Sequence, residues 1–352
     1  MSLVFLLPGD PESRTGGYIY DKRIVEGLRG LGRRVTLHRL GDGFPFPDEA
    51  EVAEAAAVLR GLPDDALTVV DGLAFSVLPR QMAAEASRLR LVALIHHPLA
   101  FENGLSPAQR QTLEASERQA LAAARRVIVT SPGTARDLHG YGVAAGRIGV
   151  VLPGTDPTPP AQGSGEAAPV MLAVATLTPR KGYLDLVAAL QRLAGLPWRL
   201  VCAGSLERDA EHARAVLAAV ERAGLSGRIR FLGEIDEPTL LHHYDRSDLF
   251  VLPSHHEGYG MALAEASARG LPIVSTTGGA IPDTVPPDAG ILVPPGDVDA
   301  LTAALRGLLT DPGARLRLRE AGLAARARLP GWPAQAAAFA HELGLANSPQ
   351  SA

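Results

Sequence analysis

Short apolar runs alternate with segments of helical period along nearly the whole chain, and the alternation stops once. Before the stop, strands are expected at Leu3–Leu7, Arg34–Leu40, Leu67–Asp71, Leu91–His96, Val127–Ser131 and Ile148–Leu152. After it they are expected at Val170–Ala175, Arg199–Ala203, Ile229–Leu232, Leu249–Pro253, Ile273–Ser275 and Ile291–Val293. Amphipathic stretches such as Ile19–Leu31, Asp48–Arg60, Pro107–Ala124, Arg208–Ala223 and Val298–Leu309 lie between them. Apolar strands joined through helices form parallel sheets covered on both faces, because parallel neighbours need a crossover connection. The stop itself, Pro153–Pro169, has five Pro and three Gly in seventeen residues, the composition of an interdomain linker. The expectation is an α/β protein with two doubly wound, Rossmann-like domains, residues 1–152 and 170–330, facing across a cleft and joined by a flexible linker, 153–169. A helical segment at 331–346 and a frayed tail, Asn347–Ala352, end the chain.

Composition narrows the function classes. With 46% apolar and 20% charged residues in 352, the chain is neither disordered nor collagen-like. A net charge of −4 gives no basic field for a nucleic-acid partner. The one cysteine, Cys202, sits in an apolar run and is expected to be a buried thiol in a reducing compartment. No apolar run approaches the roughly 20 residues that span a bilayer. Met1–Asp10 reads as a first strand rather than a signal peptide, lacking a basic leader and ending in Pro-Gly-Asp. A cytoplasmic protein is expected. Of 34 basic residues only Lys22 and Lys181 are lysine. Where arginine has replaced lysine almost everywhere, a surviving lysine is a candidate for chemistry that a guanidinium performs poorly.

Ligands of doubly wound sheets bind outside the carboxyl ends of the strands, and four segments there carry candidate chemistry. Glu257-Gly258-Tyr259-Gly260-Met261 follows one strand and opens a helix that reaches Glu265. Its glycines leave backbone N–H groups uncovered at a helix N-terminus, and the carboxylates suit the vicinal hydroxyls of a sugar and a ribose. If the whole stretch is helical, eight residues separate them by roughly 12 Å. A helix with an acidic start and one solvated glutamate would read the same way. Arg180-Lys181-Gly182 lies between a strand and a helix, where two cations would suit a diphosphate, though a solvated basic turn has the same residues. Gly16-Gly17 follows the first strand ahead of the first helix and permits close approach of a phosphate or sugar, or marks a bare turn. His96-His97 ends another strand, placed to hydrogen-bond a sugar hydroxyl or to serve only the structure.

Other signals are set aside. Asp297-Val298-Asp299 has the spacing of a metal-binding Asp-x-Asp but begins a helix, where Asp is a favoured cap. No cluster has metal-ligand spacing, so neither metal nor cofactor is expected. Tyr18, Tyr20, Lys22, Arg23 and Arg29 could line a peripheral membrane contact or form an ordinary half-buried helix face.

Together these segments resemble the retaining glycosyltransferases of family 4, which have the GT-B fold. The resemblance is sharpest over Val170–Gly182 and Asp248–Asp283, above all Pro253-Ser254-His255-His256-Glu257-Gly258-Tyr259-Gly260. It implies a metal-independent enzyme moving a hexose from a nucleotide-diphosphate donor, UDP- or GDP-linked, to a saccharide, lipid or small-molecule acceptor. It implies that Glu257 contacts the donor sugar and Glu265 the ribose, with Gly258, Tyr259, Gly260 and Met261 lining the donor. Arg180 and Lys181 would neutralise the diphosphate opposite Gly16 and Gly17. His96 or His97 would sit beside the transferring sugar, and the final helix would cross back onto the first domain. Many members carry Gly-Arg-Leu where this chain has Ala175-Thr176-Leu177, which leaves leaving-group charge to Arg180 and Lys181. Asp283 stands where the family's glycine-rich turn usually ends in Glu. Two other readings share the architecture, a sugar-nucleotide epimerase and a non-catalytic sugar-nucleotide sensor. A dinucleotide oxidoreductase is disfavoured, since no strand is followed by Gly-x-Gly-x-x-Gly.

Overall fold

The computed structural model describes residues 3–102 and 104–345, so residue 346 and the tail Asn347–Ala352 lie outside the described residues. The chain forms two compact units. One contains the residues up to Gly154 and those from Pro330 onward, and the other is Thr155–Leu329.

The first unit is built on β1 (Leu3–Pro8), β2 (Val35–Leu40), β3 (Leu67–Asp71), β4 (Arg90–Ile95), β5 (Arg126–Val129) and β6 (Ile148–Val150). These six strands are parallel, in the order β2-β1-β3-β4-β5-β6. Alternate side chains of β1 serve opposite faces, as a strand's period of two requires. Val4 and Leu6 join a core with Val70, Ile95 and Met82. Phe5 points the other way and stacks on Phe339 of the final helix, Trp332–Glu342, with ring centroids 5.9 Å apart. That helix lies against the helix Gly16–Gly30, where Gly27 leaves room for Ala336.

The second unit repeats the plan with β7 (Val170–Val174), β8 (Arg199–Ala203), β9 (Ile229–Phe231), β10 (Leu249–Leu252), β11 (Ile273–Thr276) and β12 (Gly290–Val293). Its order is β12-β11-β10-β7-β8-β9, again all parallel. Met171, Ala173, Leu249 and Val251 fill one core, and Leu172, Phe250 and Leu252 fill the other. Cys202 lies in the first of these, and burial pushes its thiol pKa up, so it stays a neutral thiol.

The Pro- and Gly-rich segment differs from the flexible tether its composition suggests. From Thr155 onward it belongs to the second unit. Ala161 is buried and donates its N–H to the Arg269 carbonyl at 2.9 Å, and Gly163 donates to Asp245 at 2.9 Å. Asp248 accepts from Ser164 Oγ at 2.6 Å and from the Val170 N–H at 2.8 Å. Prolines remove donors from this segment, and fixed partners satisfy several of those that remain.

Tyr20, Lys22, Arg23 and Arg29, named for a membrane contact or an ordinary helix face, have partners within the protein. Tyr20 is buried with its hydroxyl donating to the Val151 carbonyl at 3.0 Å, and Lys22 pairs with Glu12 at 2.6 Å. The Arg23 guanidinium lies over the Trp332 ring, and Arg29 donates to the Val35 carbonyl. No helix among the described residues is long and apolar enough to cross a membrane.

The final helix is therefore part of the first unit's core. Phe339→Ala is expected to cost about 3–5 kcal/mol, the usual range for emptying an aromatic core position. Hydrogen exchange should show the loss of protection in the first unit's strands and spare β7–β12. Equal loss in both units would contradict the assignment of this helix.

Candidate active site

Each sheet reverses its strand order once, between β1 and β3 in the first unit and between β10 and β7 in the second. Right-handed crossovers send the helices on either side of a reversal to opposite faces, which opens a crevice beyond the strand ends. The candidate residues gather at these two places.

In the second unit, β7 runs into a 3-10 turn, Pro179–Lys181, and Gly182 then turns into the helix Tyr183–Gln191 with φ 69°. Only glycine fits there, since a Cβ would strike the Pro253 carbonyl. The turn delivers Lys181 Nζ to Glu257 Oε1 at 2.6 Å and Arg180 Nη1 to Glu257 Oε2 at 3.3 Å. Arg180 also donates to the His256 carbonyl at 2.8 Å, and its own carbonyl accepts the His255 N–H at 2.8 Å. Ser254 Oγ donates to Glu257 Oε1 at 2.6 Å. Glu257 is 5% exposed. Burial alone pushes its carboxyl upward, but the charges of Lys181 and Arg180, with hydrogen bonds from Lys181 and Ser254, hold it down at about 2.

Backbone contacts fix the loop that carries this carboxylate. Glu257 bridges Gly279 as an isolated parallel pair, and its carbonyl accepts the Ala280 N–H at 2.8 Å. Gly279 has φ 61°, and a Cβ on it would strike the Glu257 backbone. His255 is tied to Asp185 on the helix after Lys181 at 2.6 Å, so one ion pair spans the loops bearing Glu257 and Lys181. The hydrogen bond to Asp185 raises the His255 pKa.

The helix reaching Glu265 begins at Met261, behind Gly260 at φ 91°, so residues 257–260 are not helical. The rise of 1.5 Å per residue therefore does not set the separation of the two carboxylates. Gly260 offers no side-chain cap to the helix. Tyr259 is buried, and its carbonyl accepts the Thr284 hydroxyl. Glu265 accepts the Tyr244 hydroxyl at 2.9 Å, and burial raises its pKa against that bond and Arg269.

In the first unit, Gly16 and Gly17 form the first turn of the helix Gly16–Gly30 rather than a loop before it. Thr15, at the cap position, makes no side-chain bond to the helix. Gly17 lies against the His96 ring. The structure separates the histidine doublet. His96 Nε2 is 3.1 Å from Asp21 Oδ1 and 3.3 Å from Asp71 Oδ2, whereas His97 Nε2 pairs with Glu102 at 2.5 Å.

Asp21, Asp71 and Ser254 are absent from the sequence-based site. Asp21 left a trace, since it shares a helix face with Ile24, Val25 and Leu28, where a charge on an apolar stripe needs a buried partner. Asp71 ends a wholly buried strand and also caps the short helix Gly72–Phe75. The Asp-x-Asp is a cap, with Asp297 accepting the Ala300 N–H at 2.8 Å and Asp299 paired with Arg192.

Residues 20–158 match the family described as Glycosyltransferase Family 4, and residues 155–324 match Glycosyl transferases group 1. A D-inositol 3-phosphate glycosyltransferase of Xylanimonas cellulosilytica is 31% identical over 280 residues, covering 73% of this chain and 67% of the relative. This chain belongs to glycosyltransferase family 4. Matches to several other family 4 relatives cover only 40–57% of those proteins' lengths. Among solved structures, the sucrose-phosphate synthase of Thermosynechococcus elongatus has a TM-score of 0.83 at 22% identity, covering 97% of this chain and 98% of that one. HepE of Anabaena, in complex with UDP and glucose, has a TM-score of 0.76 at 18% identity, covering 98% and 99%. These likenesses show the GT-B fold, whose paired doubly wound units this glycosyltransferase shares.

The ionised Glu257 of this glycosyltransferase makes a pH-dependent contribution to folding. A depressed carboxyl pKa stabilises fully above the ordinary glutamate value of 4.5 and ceases to do so as pH falls through about 2. Wild type and Glu257→Gln should differ by on the order of 3 kcal/mol near pH 6, with the gap narrowing between pH 4 and pH 3 in urea titrations. A gap constant over that range would contradict the buried ion pair.

Proposed function

We propose that this family 4 enzyme transfers a hexose from a nucleotide-diphosphate donor, UDP- or GDP-linked, to a saccharide, lipid or small-molecule acceptor. Anomeric configuration is retained and no metal ion is required. The observation that carries the reading is the convergence of Lys181 and Arg180 on Glu257 at the second unit's strand reversal. Two cations would otherwise repel each other there, and the carboxylate keeps them assembled before a diphosphate arrives. As the bond from sugar to diphosphate breaks, negative charge grows on the leaving oxygens and the sugar becomes oxocarbenium-like. Fixed ammonium and guanidinium groups stabilise that charge without reorganising, which is the part a metal ion plays in other transferases.

Glu257 is a poor candidate for a covalent nucleophile. Lys181 and Ser254 engage one of its oxygens and Arg180 the other, and its depressed pKa reflects a carboxylate already stabilised in its charged form. That favours a front-face route in which the leaving diphosphate assists the acceptor, hence retention. The remaining roles follow the same reading. Glu257 also contacts donor-sugar hydroxyls, Glu265 the ribose, and the backbone of Gly258, Gly260 and Met261 the donor at the helix start. Gly16 and Gly17 add uncapped amides in the first, acceptor-side unit, and His96 contacts the transferring sugar. HepE in complex with UDP and glucose supports a nucleotide-linked donor. A reducing, cytoplasmic setting suits the lone buried Cys202.

A panel of UDP-, GDP-, ADP- and dTDP-sugars tests this, with nucleotide release followed in EDTA beside a lipid and saccharide acceptor mixture. Release from one donor should persist in EDTA and fall about 100-fold or more in Lys181→Ala and Glu257→Ala. Tight donor binding without release would favour a sensor. Interconversion of the sugar without an acceptor would favour an epimerase, and a requirement for added metal would overturn the mechanism.

A further inference from the structure

Three elements of the first unit bring buried charge to one ring nitrogen. Asp21 comes from the helix Gly16–Gly30, Asp71 from the end of β3, and His96 from the residue after β4. Both carboxylates reach His96 Nε2, at 3.1 and 3.3 Å, and both are nearly sealed, at 2% and 3% exposure. The His96 side chain is 20% exposed. Tyr20 packs edge-on against the ring at 5.4 Å, with its hydroxyl committed to Val151. Thr130 and Thr134 each donate to the His96 carbonyl at 3.2 Å and fix the main chain beneath it.

This arrangement selects one protonation state. A neutral ring with a bare Nε2 would set its lone pair against two carboxylates. A neutral ring with a proton on Nε2 would supply a donor but no charge to offset two buried anions. With both carboxylates ionised, only the imidazolium supplies both, and although burial pushes the Asp21 carboxyl up to about 6, it is ionised at pH 8. Nδ1 has no partner among the described residues, so its N–H is the one left for a ligand.

We propose that Asp21 and Asp71 are positioning residues that hold His96 as an imidazolium, with Nε2 committed to them and Nδ1–H offered to substrate. The role of His96 in transfer rests on the reading above, whereas its charge and orientation do not. A histidine held this way donates a hydrogen bond and adds positive charge, and it cannot serve as the base that deprotonates an acceptor. The titratable groups facing the ring are Asp21, Asp71 and Tyr20. Burial lowers an imidazole's pKa, but the Asp21 and Asp71 carboxylates outweigh it and raise His96 well above the ordinary value.

The test is NMR of the full chain carrying 15N-ring-labelled histidine, with His96→Gln assigning the signal among ten histidines. At pH 8 an ordinary histidine, with pKa about 6.5, is neutral, and His96 should show both nitrogens protonated. Asp71→Asn and Asp21→Asn should each lower its midpoint by about one pH unit or more. If either variant fails to fold, the wild-type spectrum decides alone. A neutral His96 at pH 8 overturns the proposal, as do unchanged midpoints in folded variants. A zinc-induced shift of its ring signals, reversed by EDTA, also overturns it, because the same three side chains are near enough to ligate a metal. With a turned-over donor, kcat/KM of the Asn variants should fall above about pH 7 where wild type does not. If no donor is turned over, the transferase reading fails and the NMR result still decides the charge state.

Discussion

A parallel sheet that reverses its winding order must leave a crevice where the reversal occurs, and both units are organised around that constraint. The strands flanking each reversal send their helices to opposite faces, so the loops beyond them part and leave N–H groups and side chains uncovered. In the second unit these loops bear Lys181 and Glu257, and in the first Gly17 lies at a helix start and Asp71 at a strand end, with His96 one strand further on. The cores on either side exist to hold those strand ends in register. Helix packing such as Phe339 on Phe5 therefore bears on the site as well as on stability.

The two crevices hold charge in opposite senses. In the second unit one buried carboxylate, Glu257, meets two cations, and in the first one half-buried imidazole, His96, meets two buried carboxylates. Burying ions in this way gives little net stability, because desolvation cancels most of the attraction, while removing a single partner is costly. What such clusters provide is fixed orientation and fixed charge at a place where charge will move. The proposed transfer, which separates a diphosphate anion from an oxocarbenium-like sugar, has a use for both.

Much of this was legible in the sequence. Strand–helix alternation is a statement about burial, and burial fixes parallel sheets, so the twelve strands among the described residues fall where apolar runs lie. Lys181 stood out because only two lysines remain among 34 basic residues, and the other, Lys22, is an exposed partner of Glu12. The Pro- and Gly-rich stretch misled, since composition reports the lack of internal hydrogen bonding and not the external partners that Asp245 and Asp248 supply. The separation of Glu257 and Glu265 stayed open for a related reason, since it depended on whether the whole stretch is helical. The left-handed Gly260 keeps residues 257–260 out of the helix that begins at Met261, and the Gly279 pairing, distant in sequence, fixes that loop.

What the sequence by itself determined is the class of fold, the two-unit division and the candidate residues, because periodicity and local turn chemistry are properties of neighbours along the chain. What only the tertiary structure decided is which charges meet. Asp21, Asp71 and His96 span 75 positions, and Lys181 and Glu257 span 76, so no local pattern encodes their contact. The choice between His96 and His97 depends on which imidazole faces the carboxylates at the end of a parallel ladder. Strand register sets that choice, and register is fixed only when the whole sheet closes its hydrogen bonds.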